Sequence, residues 1–150
     1  MSKIVSQSNS PTSGNSASLL QERPFTIESF YKFCAEKKLM GVKCTRCKKI
    51  TVPPRIVCPH CGNTDQIWTE LPNRGRLVTY TVIHVPPPQF EALAPYAIGI
   101  VELAEGVRLP GMVKNVKLEN LKIGMELKTE FETSTSNEWP QWPRYFFREP

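Results

Sequence analysis

Four of the five cysteines stand in two pairs whose spacing suits a metal site. The pairs are Cys44-Thr-Arg-Cys47 and Cys58-Pro-His-Cys61, with ten residues between Cys47 and Cys58. Each pair can direct two thiolates from a tight turn at one ion about 2.3 Å away, and two such turns complete a tetrahedral zinc shell. The segment Lys48–Arg55 is then the hairpin that joins the turns, and Gly62 lets the chain reverse after the second one. The spacing therefore predicts a zinc ribbon.

Other uses of four cysteines stay open at this point. Four thiolates in a tetrahedron also suit iron, a redox dithiol needs only one pair, and disulfides need an oxidising compartment. We expect zinc rather than iron. Because four protein ligands leave no coordination position for water or substrate, the metal is expected to be structural. His60, inside the second pair, is expected to point outward.

Positive charge is concentrated around the same cysteines. The formal net charge is +5, and residues 32–55 hold eight basic side chains against Glu36 alone. Four of them, which we call the flanking cations, are Lys43, Arg46, Lys48 and Lys49. They could neutralise a zinc–thiolate centre, whose charges sum to about −2, or bind phosphate or an acidic partner.

An amphipathic helix is predicted just before the cysteines, over about 27–39. Thr26 can cap its N-terminus, and Gly41 is expected to end it. The apolar residues that recur at helical spacing are Ile27, Phe30, Tyr31, Phe33 and Cys34. Cys34 has no neighbour at ligand spacing, so we expect it to be a small buried hydrophobe.

From Arg74 onward the pattern is that of strands. The run Arg74–Val85 is rich in β-branched and aromatic residues and stops at three prolines, which predicts one long strand. The other expected elements are strands over 96–103, 107–114, 125–132 and 144–148, a tight turn at Glu105-Gly106 and a helical turn over 116–121. The order β-β-β-α-β-β is that of a five-stranded OB-fold barrel.

The chain is therefore expected to be mainly β, with an N-terminal helix, then a zinc ribbon, then an OB-fold. A Ser- and Asn-rich N-terminus of this composition cannot bury enough apolar surface to fold. The four predicted parts are a disordered tail (1–22), an N-terminal helix (23–41), a zinc ribbon (42–70) and an OB-fold domain (71–150).

Taken together, these segments closely resemble the DUF35 family. The resemblance covers about residues 25–148 and rests on the two cysteine turns and on three short motifs. The motifs are Tyr-Thr-x-x-His at 80–84, Ala-Pro-Tyr at 94–96 and Ile-Gly-Met at 123–125. Members of that family have an N-terminal helical segment, a rubredoxin-like zinc ribbon and a C-terminal OB-fold. The residues that match the family's zinc ligands are Cys44, Cys47, Cys58 and Cys61.

The family is associated with acyl-CoA metabolism, and its members are accessory subunits not known to make or break bonds themselves. The resemblance thus implies a non-catalytic scaffold. Its implied partners are a thiolase and a hydroxymethylglutaryl-CoA synthase, or a MaoC-type enoyl-CoA hydratase.

Acyl-CoA itself is a candidate ligand. A site for it needs cations for the phosphates and an apolar groove for the pantetheine arm. The flanking cations could supply the first. The second could come from an aromatic set on the barrel, made up of Tyr80, His84, Phe90 and Tyr96. The same side chains could instead be core and loop packing.

Two other classes of function fit less well. A zinc ribbon with an OB-fold also describes single-stranded nucleic-acid-binding proteins, but residues 56–150 hold nine basic against eleven acidic side chains. An independent thioesterase or hydratase would need His84 with a carboxylate such as Glu102. No Ser/His/Asp arrangement and no glycine-rich phosphate loop can be read from the sequence to support it.

The two ends of the chain carry weaker signals. The N-terminus lacks the apolar segment of a signal peptide, and no run of about 18 apolar residues occurs, so we expect a cytoplasmic protein without a membrane span. Tyr145 to Phe147 are expected to close the barrel. Trp139 and Trp142 are left undecided between the barrel and a subunit interface.

Overall fold

The computed structural model describes residues 21–103, 106–132 and 144–150. The predictions for most of the tail, for Glu105 and for Trp139 and Trp142 concern residues outside these ranges. The elements are α1 (Ile27–Ala35), β1 (Met40–Cys44), β2 (Ile50–Thr51), β3 (Gln66–Glu70), β4 (Arg74–Ile83), β5 (Tyr96–Leu103), β6 (Arg108–Val113), β7 (Glu126–Glu132) and β8 (Arg144–Arg148), with 3-10 turns at Pro88–Leu93 and Leu118–Asn120.

Helix α1 begins as predicted and ends earlier. The Thr26 side chain accepts a hydrogen bond from the Ser29 N–H, which caps the first turn. At the other end Lys37 takes a left-handed conformation with φ of 59°, and the Lys38 N–H bonds back to the Phe33 carbonyl at 2.9 Å. This Schellman closure ends the helix at Ala35, so the predicted end at 39 was wrong.

Gly41, expected to stop the helix, lies inside strand β1 instead. A Cβ at this position would stand 2.9 Å from Ile50 Cγ2 and 3.2 Å from Leu71 Cδ1. The glycine therefore permits close packing between β1 and its neighbours, and the helix is ended by Lys37.

The ribbon is a three-stranded antiparallel sheet in the order β2-β1-β3. Val42 at its centre pairs with Thr51 on one side and with Trp68 on the other. Phe33 of α1 packs against Met40, Val42 and Trp68, with the Phe33 and Trp68 ring centroids 4.9 Å apart. The helix thus covers one face of the ribbon. Gln21, placed in the tail by composition, bonds through its side chain to both backbone groups of Trp68.

The second half is a closed barrel in the order β4-β5-β6-β8-β7. All pairs are antiparallel except β6 with β8, where Val113 pairs with Phe147. This is the OB-fold order, so the predicted fold class is confirmed. The long strand β4 ends at Ile83, two residues before the predicted end, and the helical turn is a short 3-10 turn.

One core joins the helix, the ribbon and the barrel. Phe30 and Cys34 of α1 pack with barrel residues such as Leu77 and Phe147. Cys34 is fully buried, as predicted, and burial raises the pKa of its thiol to about 12. No helix among the described residues is long and apolar enough to cross a membrane.

Candidate functional site

The four paired cysteines converge at one end of the ribbon. Their sulfurs all lie within 4.8 Å of one another. The sulfur of Cys44 is 3.6 Å from that of Cys61, and the sulfur of Cys47 is 3.6 Å from that of Cys58. A tetrahedron with metal–sulfur bonds of about 2.3 Å has edges of about 3.8 Å. The donor set therefore fits a tetrahedral metal ion.

The two turns that carry the cysteines share one backbone design. The Lys48 N–H bonds to the Cys44 carbonyl at 3.0 Å, and the Gly62 N–H bonds to the Cys58 carbonyl at 2.9 Å. Both turn residues are left-handed, with φ of 64° at Lys48 and 75° at Gly62. Lys48 in the first turn therefore takes the same left-handed conformation as Gly62 in the second turn.

Backbone N–H groups aimed at the sulfurs prepare the site for thiolates. The N–H of Cys47, helped by the Asn63 side chain and the N–H of Arg46, lowers the pKa of Cys44 to about 6. At Cys58 burial opposes ionisation, but the N–H groups of two following residues outweigh it and lower the pKa.

Cys47 shows the opposite balance. The Lys49 N–H favours its thiolate, yet burial and the three neighbouring sulfurs outweigh that bond and raise the pKa of Cys47 to about 11. Because negative sulfurs this close repel one another, all four ionise together only around a cation.

Asn63 is a site residue that the sequence did not reveal. Its Nδ2 donates to Cys44 Sγ at 3.6 Å and to the Asp65 carbonyl at 2.9 Å, while its Oδ1 accepts from the Asp65 N–H. This clamp orients one donor at the sulfur, the role of outer-shell groups in metal sites. The available signal was its position directly after Gly62. His60 is exposed and is not part of the four-sulfur set.

The flanking cations surround the site without entering it. Lys43 is half-buried in β1, and the other three are exposed. Lys48 and Lys49 line a cleft of about 370 Å³ together with His60 and Val107. In the part of the chain that is described, no side chain of these cations bonds to a sulfur.

The predicted aromatic set is brought together only in part, because Phe90 and Tyr96 are neighbours and Tyr80 and His84 are not in the groove that Phe90 lines. Tyr80 donates its hydroxyl to the Leu121 carbonyl at 3.2 Å, and His84 is exposed beyond the end of β4. Tyr96 is 8% exposed, and its ring centroid lies 6.1 Å from that of Phe90. Phe90 alone of the four lines the larger groove described next.

That groove, which we call the apolar groove, has a volume of about 440 Å³. It lies where OB-folds bind ligands, on the second and third barrel strands beside the first loop. Its apolar lining includes Tyr31, Phe90, Leu93, Ile98, Met112 and Tyr145. The signal that could have found it is the outward-facing pair Ile98 and Met112, which are register partners on β5 and β6.

Two charged residues at the apolar groove pair with each other. Lys114 forms an ion pair with Glu132, and its Nζ lies 5.0 Å above the Phe146 ring. The lysine cleft near Val107 is about 17 Å away from Met112 along β6. Of the flanking cations, Lys48 and Lys49 therefore lie at the opposite end of the β5–β6 pair from the apolar groove.

The catalytic pair considered from the sequence is also separated. Ile83, next to His84, pairs with Tyr96 at one end of β5, and Glu102 pairs with Arg76 at the other. Six residues of strand place them about 20 Å apart. Glu102 instead forms an ion pair with Arg108 at 2.9 Å.

Two family models match the chain in succession. Residues 32–65 match the rubredoxin-like zinc ribbon domain of ChsH2, and residues 68–132 match the C-terminal OB-fold domain of ChsH2. A relative from Methanocaldococcus jannaschii, described as a DUF35 domain-containing scaffold protein, is 40% identical over 94 residues. The match covers 62% of this chain and 67% of the relative.

Two further similarities involve enzymes. A Thermomonospora curvata protein described as a probable enoyl-CoA hydratase alpha subunit is 35% identical over 97 residues, which are 64% of this chain and 30% of that protein. The solved structure of an Ltp2-ChsH2(DUF35) aldolase contains a chain with a TM-score of 0.67 and 30% identity, covering 80% of this chain and 91% of its own. With its four-cysteine ribbon, its OB-fold and these relatives, the chain belongs to the DUF35 family.

Proposed function

We propose that this chain is a non-catalytic accessory subunit that binds, as a scaffold, to an enzyme acting on acyl-CoA. Its main support is the family, because relatives carry the description of scaffold proteins. The aldolase structure and the hydratase subunit point the same way, since each associates a DUF35-like chain or region with an enzyme. In the hydratase relative the matched part is only 30% of the protein, so most of that subunit lies outside the similarity.

Zinc is the metal we assign to Cys44, Cys47, Cys58 and Cys61. A complete set of four thiolates closes the coordination shell, which suits a structural ion without redox chemistry. Zinc would hold the two turns together and would supply folding energy to a ribbon whose sheet is only three strands wide. The separation of His84 from Glu102 argues against these two residues as an acid–base pair.

The partners we propose are a thiolase-like subunit with a hydroxymethylglutaryl-CoA synthase-like subunit, or a MaoC-type hydratase. The apolar groove is the better candidate for the pantetheine and acyl arm of a bound acyl-CoA. Its volume of about 440 Å³ lies within the range of ligand pockets, and Ile98 of β5 and Met112 of β6 contribute to its apolar lining. The predicted aromatic set as a whole is not proposed again, because only Phe90 reaches this groove.

Purification of the untagged chain from its native cells tests the proposal. We expect it to co-elute with a thiolase-like or hydratase-like subunit identified by mass spectrometry. Recovery as a lone monomer would contradict the proposal. So would turnover of an acyl-CoA thioester by the isolated chain that is abolished by His84→Ala.

A further inference from the structure

The basic side chains of the ribbon differ from those of the barrel in their partners. Most barrel cations in the described ranges are in ion pairs, which are Arg74–Glu126, Arg108–Glu102, Lys114–Glu132, Lys128–Glu130 and Arg148–Glu130. In contrast, no ribbon cation has a carboxylate partner within the described residues. The ribbon cations are Lys43, Arg46, Lys48, Lys49 and Arg55. Across the described parts of both units, five barrel cations are thus paired with carboxylates, whereas the ribbon cations are not.

In the ranges that the structure describes, the side chains of these cations form no bond to the cysteine sulfurs either. The groups that bond to its sulfurs are backbone N–H groups and the Asn63 amide. Arg46, Lys48 and Lys49 are exposed, so their charged ends stay available to another molecule.

Beside the cations stands a pair of exposed aliphatic residues on a fixed backbone. Ile56 is 65% exposed and Val57 is 47% exposed. The side chain of Gln66, itself only 6% exposed, donates from one Nε2 to the carbonyls of both Arg55 and Ile56 at 2.8 Å. A buried amide therefore holds this segment with its apolar side chains turned outward. Such preorganisation lowers the entropy cost of binding.

The cysteine turns bring the chain segments that carry the two features close together. Lys48 follows Cys47, Val57 precedes Cys58, and the two sulfurs are 3.6 Å apart. We name this the ribbon surface and define it by Arg46, Lys48, Lys49, Arg55, Ile56 and Val57. Apolar anchors with a cationic rim match a protein patch that is apolar at its centre and carries Asp and Glu around it.

Nucleic acid is the poorer occupant for this surface. Residues 42–62 contain no Phe, Tyr or Trp, and Trp68 of β3 is buried, which leaves the imidazole of His60 as the exposed ring of the ribbon on which a base could stack. Branched aliphatic anchors beside cations fit a protein surface better.

We infer that the ribbon surface docks on an acid-rimmed apolar patch of the partner enzyme subunit. This inference rests on the proposed accessory function and adds to it the part of the chain that makes the contact. Ile56 and Val57 fill the centre of the interface, and the cations speed the encounter and set the orientation.

The test uses the enzyme subunit that co-elutes with the full wild-type chain, purified and titrated against zinc-loaded variants by calorimetry. We expect Ile56→Ser with Val57→Ser to weaken binding about tenfold. Lys49→Glu with Arg55→Glu is expected to weaken it by about the same factor at low salt and to flatten its salt dependence. Lys49→Arg with Arg55→Lys keeps the charge and is expected to bind like the wild type.

The matched control is Lys122→Glu with Ile123→Ser on the barrel, where Ile123 is 69% exposed. We expect unchanged binding there, and unchanged zinc content in every variant. Equal binding by ribbon and barrel variants would overturn the inference and leave the accessory function standing. If no acyl-CoA enzyme co-elutes with the wild type, both are overturned. Single-stranded oligonucleotide binding that is lost in Lys49→Glu with Arg55→Glu would replace the protein partner with nucleic acid.

Discussion

At the scale of single residues, Asn63 shows how a side chain outside the cysteine pairs shapes the site. It bonds to Cys44 Sγ and is itself locked by Asp65 through both amide atoms. Since the donor is held by other bonds, it does not have to be ordered when the metal binds.

We therefore expect Asn63→Ala to weaken zinc binding about tenfold or more, because the sulfur loses a fixed donor. Competition with a chromophoric chelator measures the affinity. Asn73→Ala is the control, since Asn73 is exposed and its backbone carbonyl, not its side chain, bonds to Thr129. Equal affinities for both variants would show that Asn63 does not tune the metal.

Cys34 provides a second test at this scale. Its thiol has a pKa raised to about 12 by burial, so it stays protonated at pH 8. We expect no reaction with Ellman's reagent in the native zinc-loaded chain. All five thiols should react after denaturation with a chelator present. Rapid labelling of Cys34 in the native chain would contradict its burial.

At the scale of elements, α1 links the ribbon to the barrel. Phe33 faces the ribbon beside Trp68. Phe30 faces the barrel, where its ring centroid lies 6.0 Å from that of Tyr145. Adjacent turns of one helix thus serve two cores.

Phe33→Ala is expected to lower the free energy of unfolding by about 3 kcal/mol or more, because it leaves a cavity against Met40 and Trp68. Chemical denaturation of the zinc-loaded chain measures the change. Ile27→Ala in the same helix, at a residue 45% exposed, should cost less than about 1 kcal/mol. A comparable loss for both variants would refute the packing role of Phe33.

An ion-paired glutamate at the β7–β8 pair makes a pH-dependent contribution to the stability of the fold. Glu130 lies 3.0 Å from Lys128 and 2.9 Å from Arg148, and these hydrogen bonds lower its pKa. Because the pKa of Glu130 is lower in the folded than in the unfolded chain, its carboxylate stabilises the fold at pH values above the unfolded pKa of about 4.3. This stabilisation is lost as the pH falls through the folded pKa.

Glu130→Gln should therefore reduce stability at pH 7, and its difference from the wild type should shrink as pH falls below about 4. Denaturation of both proteins at several pH values measures the difference. Glu119→Gln serves as the control because Glu119 is exposed and forms none of the ion pairs found in the described ranges. A deficit that persists unchanged in acid would rule out the carboxylate charge as the cause.

At the scale of the whole molecule, the ribbon and the barrel share one core cluster through α1, and the ribbon has a second cluster against the same helix. The barrel closes on itself through its own hydrogen bonds, whereas the ribbon sheet is three strands wide and carries the four-cysteine site. The two halves should therefore respond differently to loss of the metal.

We expect a zinc chelator to unfold the ribbon and leave the barrel folded. Amide exchange should speed up in β1 to β3 and stay slow in the central barrel strands, where Leu77, Val101 and Leu127 are buried. Mass spectrometry of the exchanged chain separates the two sets. Equal loss of protection in both halves would contradict this division, and no change in either would contradict a structural metal.

Much of this architecture follows from local patterns. The cysteine spacing predicted the four-sulfur cluster, and strand composition predicted the barrel elements to within two residues. The end of α1 could not be predicted in this way. A lysine rather than a glycine takes the left-handed position there, and the reason Gly41 is a glycine lies in residues brought near it by the sheet.

The sequence by itself determined the metal-binding chemistry and the order of the elements, because cysteine spacing and side-chain alternation act over a few residues. Only the tertiary structure decided which distant residues share a surface. Strand register put His84 and Glu102 at opposite ends of the β4–β5 pair and left Phe90 alone of its set at the groove. The two cysteine turns placed the sulfur of Cys47 beside that of Cys58. Such contacts depend on register and packing across long separations, which no local pattern specifies.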